Sequence, residues 1–321
     1  MNKLFLYINT IKYLKIIQIL YRIKYIFYKP NIKKLSVEKI PLKSKLWVHI
    51  SLYNKRCFPG HKFIFLNDQK TIKLPEDWNN TAINKLWVYN LHYFDDLMSH
   101  NALLNKSFYL NMINCWIDSN KKSTDIGWDP YPLSIRCVNL CKAWLGGLDI
   151  DIKIFSSIFQ QTDYLLKNLE KHLLGNHYLT NLKAILFSGL IFNNRDWILF
   201  AKKELIEQIS EQILTDGANF ELSPMYHSLA VIDFLDMYNI LKAYPSEENH
   251  DLKFALEEAI DKMLYFMEIM SHPDGGVSFF NDSVDGIAPK KDIIEDYASQ
   301  LGFNIYRNKF KENTIIDNKK S

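Results

Sequence analysis

The chain has 321 residues, 48% of them hydrophobic and 23% charged, with a formal net charge of +3. It is long enough to bury a large core and too apolar to be disordered. Eleven of its Lys and Arg residues precede residue 46, against one acid, Glu38, so the remainder is net negative. A negative body without a reader motif argues against nucleic acid as a partner.

Residues 1–30, "MNKLFLYINTIKYLKIIQILYRIKYIFYKP", predict a helix stopped by Pro30. Its spaced lysines fit an amphipathic helix with a basic outer face or, alternatively, an interfacial helix making a peripheral contact with anionic lipid. No apolar run reaches the length of a signal-peptide core or a bilayer span. The expected location is therefore the cytoplasm or a membrane surface reached through the basic arm. Residues 31–85 carry short apolar pieces broken by Pro41, Pro59, Gly60 and Pro75, an irregular segment with some strand character.

From Trp87 to Gln300 the pattern is helical almost throughout. Helices are predicted at 88–104, 106–120, 132–146, 153–173, 177–193, 195–214, 224–244 and 251–271, joined by short breaks such as "GWDPYP", "LLGNH" and "TDGANFELSP". Short breaks imply antiparallel neighbours, and no Rossmann or phosphate-loop glycine pattern intervenes, so an all-α ring of helical hairpins is expected. Three units follow: 1–85 packing on a ring, the ring at 86–300, and a polar tail at 301–321. Cys57, Cys115, Cys137 and Cys141 form no Cys-x-x-Cys pair and no zinc set. No metal or cofactor is expected.

Four breaks are richer in chemistry than a turn requires. "KLWVYNLHYFDDL" offers Tyr93 as a ring contact and Asp95 as an acid, or else only a core stripe. "GWDPYPLSIRCVNL" places Arg136 near Trp128 and Tyr131, a guanidinium with aromatic faces that suits a carboxylated sugar. Alternatively Arg136 is structural, tied to Asp129 or a backbone carbonyl. In "HLLGNHYLTNLK" Asn176 fits a helix N-cap, whereas the adjacent His177 has no capping role. In "DGANFELSPMYH" Ser223 is an N-cap and Pro224 the first helical residue. Tyr226 then sits third in the helix, where the macrodipole favours a phenolate, beside Glu221 and His227.

Taken in order, "KLWVYNLHYFDDL", "WDPYPLSIRCVNL", "HLLGNHYLTNLKAILFSGLIF", "DGANFELSPMYH" and "HPDGGVSFFNDS" resemble the N-terminal toroid of the heparinase II/III family of polysaccharide lyases, which includes related alginate lyases. The resemblance covers residues 10–290. It implies an incomplete (α/α) toroid whose groove binds an acidic polysaccharide and cuts it by β-elimination. It further implies that Asn176 and His177 neutralise a uronate carboxylate, that Tyr226 moves the proton, and that Arg136, Trp128 and Tyr131 bind substrate. Glu221, His227 and Tyr93 are supporting contacts. Family members usually continue into a β-sandwich that supplies a further catalytic histidine, and nothing after Gly275 could build one. A separate β-sandwich subunit and a non-catalytic role in binding or assembling surface polysaccharide are therefore weighed as alternatives. So is a toroidal glycoside hydrolase using Glu221 and Asp95. The family also makes the periplasm an alternative location.

Overall fold

A computed structural model describes Asn9, residues 12–284 and residues 286–306. Ten α-helices are described. The predicted tail lies outside the described residues from 307 onward.

Helix α1 spans Ile16–Phe27, shorter than the sequence predicts. An extended segment and a three-stranded antiparallel meander follow: β1 Cys57–Phe58, β2 Lys62–Phe65 and β3 Asp68–Thr71. Phe63 and Phe65 alternate inward from β2 and join Leu52, Cys57 and Trp78 in the same core as the helices. The meander therefore rests on the helical body.

The body is built from α2 Lys85–Tyr93, α3 Lys106–Ser119, α4 Pro130–Gly146, α5 Ile152–Lys167, α6 Gly175–Ile191, α7 Arg195–Gln212, α8 Pro224–Ala243, α9 His250–Ile269 and α10 Lys291–Leu301. The even-numbered helices pack side by side, α2 on α4, α4 on α6, α6 on α8 and α8 on α10. The odd-numbered helices form an outer layer, with α3 on α5 and α7 on α9. This alternation is an incomplete (α/α) toroid, as expected. It explains the patterning. In α6 every residue from Tyr178 to Ile191 is buried, as befits a central helix packed on all sides, its few polar residues included. Outer α5 buries one stripe, which includes Ile154, Ile158 and Leu165.

Three elements differ from expectation. The helix predicted at 88–104 ends at Tyr93, because Phe94 turns left-handed at φ 58°. That turn delivers the next two carboxylates: Asp95 accepts from Asn139 at 2.8 Å, and Asp96 accepts from the Arg56 N–H and the Tyr109 hydroxyl, both at 2.5 Å. The helix predicted at 153–173 ends at Lys167, freeing 168–174 as a connector to α6. Helix α10 is not among the predicted helices, and it buries Ile294, Tyr297, Ala298 and Leu301 at helical spacing to extend the inner layer.

Candidate active site

Three inner helices turn polar stripes toward one another. Helix α4 brings Tyr131, Asn139 and Lys142; α6 brings Asn176, Thr180 and Lys183; α8 brings Tyr226, Asp233 and Asp236. Cross-bonds fix the facing. At the helix starts the Asn176 side-chain amide donates to the Tyr131 hydroxyl at 3.2 Å. Deeper, Lys142 donates to Asp236 at 2.7 Å, and Lys183 to Asp233 at 2.7 Å and Asp236 at 2.6 Å. The Tyr297 hydroxyl adds a bond to Asp236 at 2.9 Å. The floor is thus a buried, charge-compensated plug. Burial alone would depress Lys183, but Asp233 and Asp236 raise it to about 12.

The start of α6 differs from the cap that the sequence suggests. Gly175, not His177, opens the helix, at φ +54°, and Leu174 occupies the cap position without a side-chain bond. Asn176 therefore caps nothing, and its amide is free to face Tyr131. Gly175 suits this position because its positive φ disfavours other residues, and a Cβ there would press lightly on Glu221 Oε1 at 3.2 Å. Glu221 accepts from the Asn176 backbone N–H at 3.4 Å. It ties the loop before α8 to the start of α6.

His177 packs its ring on Tyr131, centroids 4.5 Å apart. Its Nδ1 lies 3.0 Å from Glu170 Oε1. An ionised carboxylate only accepts, so Nδ1 carries the proton and Nε2 is left as the acceptor in the neutral ring. Glu170 is itself buried and held on both sides. Its second oxygen accepts from the Asn181 amide at 3.1 Å, and its backbone N–H donates to Asn181 Oδ1 at 2.8 Å. The Asn181 amide also donates to Ser134 at 3.1 Å. Glu170 was missed in the sequence. The available signal was slight: it is the sole carboxylate between Asp163 and Asp196.

At the start of α8, Ser223 is the N-cap, accepting from the Tyr226 N–H at 3.4 Å, and Pro224 is the first helical residue, as expected. Tyr226 is half-buried, and among the described residues its hydroxyl has no hydrogen-bond partner. Burial raises the Tyr226 phenol, and Glu221 and Asp282 raise it further, a direction opposite to the phenolate that the helix start suggests.

Four predicted substrate contacts are structural instead. Arg136 is fully buried, donating to Gln161 Oε1 at 2.9 Å, the His92 carbonyl at 3.2 Å and the Gly127 carbonyl at 2.7 Å, with its guanidinium 3.7 Å above Trp116. Burial lowers its pKa to about 9. It clamps α2, α5 and the turn before α4, and its complete burial keeps it away from a sugar. Trp128 is buried between Trp116 and Tyr164 and donates to the Asn120 carbonyl at 3.0 Å. His227 is buried, with Nδ1 accepting from the Asn219 N–H at 3.2 Å and Nε2 donating to the Met263 carbonyl at 3.0 Å. Tyr93 is buried edge-on behind Tyr131.

A second cation escaped notice. Arg56 is half-buried, with its guanidinium 5.0 Å from the Tyr53 ring centroid, and it makes no ion pair among the described residues. Burial raises the pKa of Asp95, and Arg56 offsets part of that rise. A cavity of about 540 Å³ opens elsewhere, at the far ends of α6 and α8 near Asn193 and Tyr244. A smaller one of about 270 Å³ borders Ser223, Pro224 and Phe280, beside the start of α8.

The family model described as "Heparinase II/III N-terminus" matches residues 21–309. The chain belongs to the heparinase II/III family. Two curated relatives are heparin-sulfate lyases. That of Pedobacter heparinus is 29% identical over 136 residues, covering 41% of this chain and 20% of the relative. That of Bacteroides stercoris is 27% identical over 129 residues, covering 39% and 19%. The matched region thus spans about a fifth of each relative. Among solved structures, a crystal structure of heparinase III superposes with a TM-score of 0.55 at 16% identity, over 87% of this chain and 47% of that one. A mutant of the heparan sulfate lyase HepC from Pedobacter heparinus superposes at 0.52 with 19% identity, over 78% and 45%. At these identities the superpositions establish the heparinase II/III toroid as the fold.

Proposed function

We propose that this chain is the toroid part of a polysaccharide lyase that cleaves a uronate-containing acidic glycan by β-elimination. The supporting observation is that Asn176 and His177 both meet Tyr131, with a buried carboxylate behind the histidine, and that Tyr226 is near enough to act electrostatically on Tyr131. The heparin-sulfate lyases among its relatives make a glycosaminoglycan of that type the first substrate to test.

In such an elimination the C5–H bond breaks, its electrons form the C4–C5 double bond, and the C4–O4 bond breaks as O4 takes up a proton. Asn176 Nδ2 donates to the uronate carboxylate, so the charge developing at C5 and spreading into that group is met by a fixed dipole. Arg56 supplies the guanidinium that buried Arg136 cannot. His177 Nε2, with Nδ1 held by Glu170, accepts the C5 proton. Tyr226, entering as a phenol, gives its proton to O4. A raised tyrosine pKa suits the acid role better than the base role.

The test is ultraviolet absorbance from an unsaturated uronate on incubation with heparan sulfate and other uronate glycans. Tyr226→Phe is expected to lose that signal while retaining glycan binding. A signal that survives the substitution removes Tyr226 from the chemistry. Saturable binding by folded wild-type protein without product would make it a glycan-binding member of the family instead. New reducing ends without absorbance would indicate hydrolysis. Glu221 and Asp95 are poorly placed for that reaction, since one is bound to the start of α6 and the other to Asn139.

A further inference from the structure

Helix α1 is turned inside out. Ile16, Leu20, Ile23 and Phe27 form one stripe along it, 76, 55, 49 and 85% exposed, and Tyr13 and Ile26 widen the stripe at 79 and 72%. The opposite side is fastened to the body by polar bonds. Gln18 donates to the Leu173 carbonyl at 3.2 Å, Arg22 to the His172 carbonyl at 3.3 Å and the Tyr25 hydroxyl to the Leu169 carbonyl at 2.6 Å. Lys15 pairs with Glu211 at 2.5 Å. No residue of α1 is fully buried. A helix that serves the core turns its apolar stripe inward, and this one does the reverse.

The charge around the stripe selects what covers it. Residues 12–29 carry five basic residues, Lys12, Lys15, Arg22, Lys24 and Lys29, and no acid. A second copy would bring like charge against like, whereas an anionic bilayer offers an apolar layer under negative headgroups. Among the described residues no helix is long and apolar enough to cross a membrane, so the contact is made along the surface. We propose that α1 docks this protein onto an anionic lipid surface, with Ile16, Leu20, Ile23 and Phe27 seated among the acyl chains and the flanking lysines at the headgroups. The basic outer face that the sequence suggested is thereby corrected: the outward surface is apolar with a basic border.

This inference is independent of the lyase reading and is tested without substrate. The full chain is sedimented with vesicles of phosphatidylcholine alone and with vesicles that also contain phosphatidylglycerol. Binding is expected to the second kind only, falling as salt is raised. It should weaken by at least about tenfold in the Leu20→Glu/Phe27→Glu double variant, whose thermal melt stays unchanged because both residues are exposed. No sedimentation with anionic vesicles, or equal sedimentation of the double variant, overturns the proposal. So does a wild-type dimer that the double variant dissociates while vesicles go unbound, which would make the stripe an interface between copies.

Discussion

At the scale of single residues, chemistry is decided by which polar atoms are left over. Arg136 and Asn176 exchange the roles that their neighbours in sequence suggest. The arginine is buried against Gln161 and two carbonyls, while the asparagine, relieved of capping, keeps an amide for the groove. The pair Glu170 and His177 gives the sharpest residue-level expectation. Glu170→Gln still offers an oxygen to Nδ1 but no charge to steady an imidazolium. It is expected to lower kcat by about 10²-fold with KM little changed. Initial rates across pH check this, and an unchanged kcat would reduce Glu170 to a structural group.

At the scale of elements, helix starts are the working parts. Loop 213–223 must bring Glu221 to the start of α6 and Ser223 to the start of α8 together. Gly217 sets its course: φ is +89°, and a Cβ there would stand far inside contact distance of the Lys262 carbonyl oxygen on α9. Backbone on that side cannot yield as a flexible side chain could. Gly217→Ala is expected to cost more than about 2 kcal/mol in urea unfolding and to lower activity as Glu221 shifts. A variant with wild-type stability would show that the loop is free to move off α9.

At the scale of the molecule, several titratable groups are buried in a single protonation state. His92 accepts from the Trp116 indole at 2.8 Å and donates to the Trp78 carbonyl at 2.8 Å, and burial lowers its pKa to about 3. Burial lowers His227 to about 4. Both folded values lie below the ordinary histidine value of about 6.5, so the folded state binds fewer protons than the unfolded one. Their contribution is complete above that pH and is lost as pH falls toward the folded values. Each histidine should subtract about 1.4 kcal/mol per pH unit over that interval. Asp236, against whose burial Lys142 and Lys183 prevail, is held below the usual carboxylate range and adds a further loss below about pH 3.9. Urea titrations at several pH values check this. His227→Gln should remove one histidine contribution to the slope, and a flat profile between neutrality and pH 4 would contradict the neutral-histidine core.

The amino-acid sequence by itself determined the all-α class, the hairpin order and the cap at Ser223. Each of these rests on local chemistry, namely apolar spacing, a proline at a helix start and a hydroxyl ahead of it. It also singled out the breaks at which Asn176, His177 and Tyr226 stand. Tertiary structure decided which groups are free. Phe94 turns left-handed because Asp95 and Asp96 have partners on α4, on α3 and just ahead of the meander, so the helix signal through residue 104 loses to contacts outside its own segment. Tyr226 is raised rather than depressed because burial and two carboxylates outside its own helix act on it. Arg136 vanishes into the core because carbonyls from α2 and the turn before α4 converge on it. Periodicity registers the face of one helix. The partners that saturate a side chain, and the charges that set its proton, come from segments that the sequence places far away.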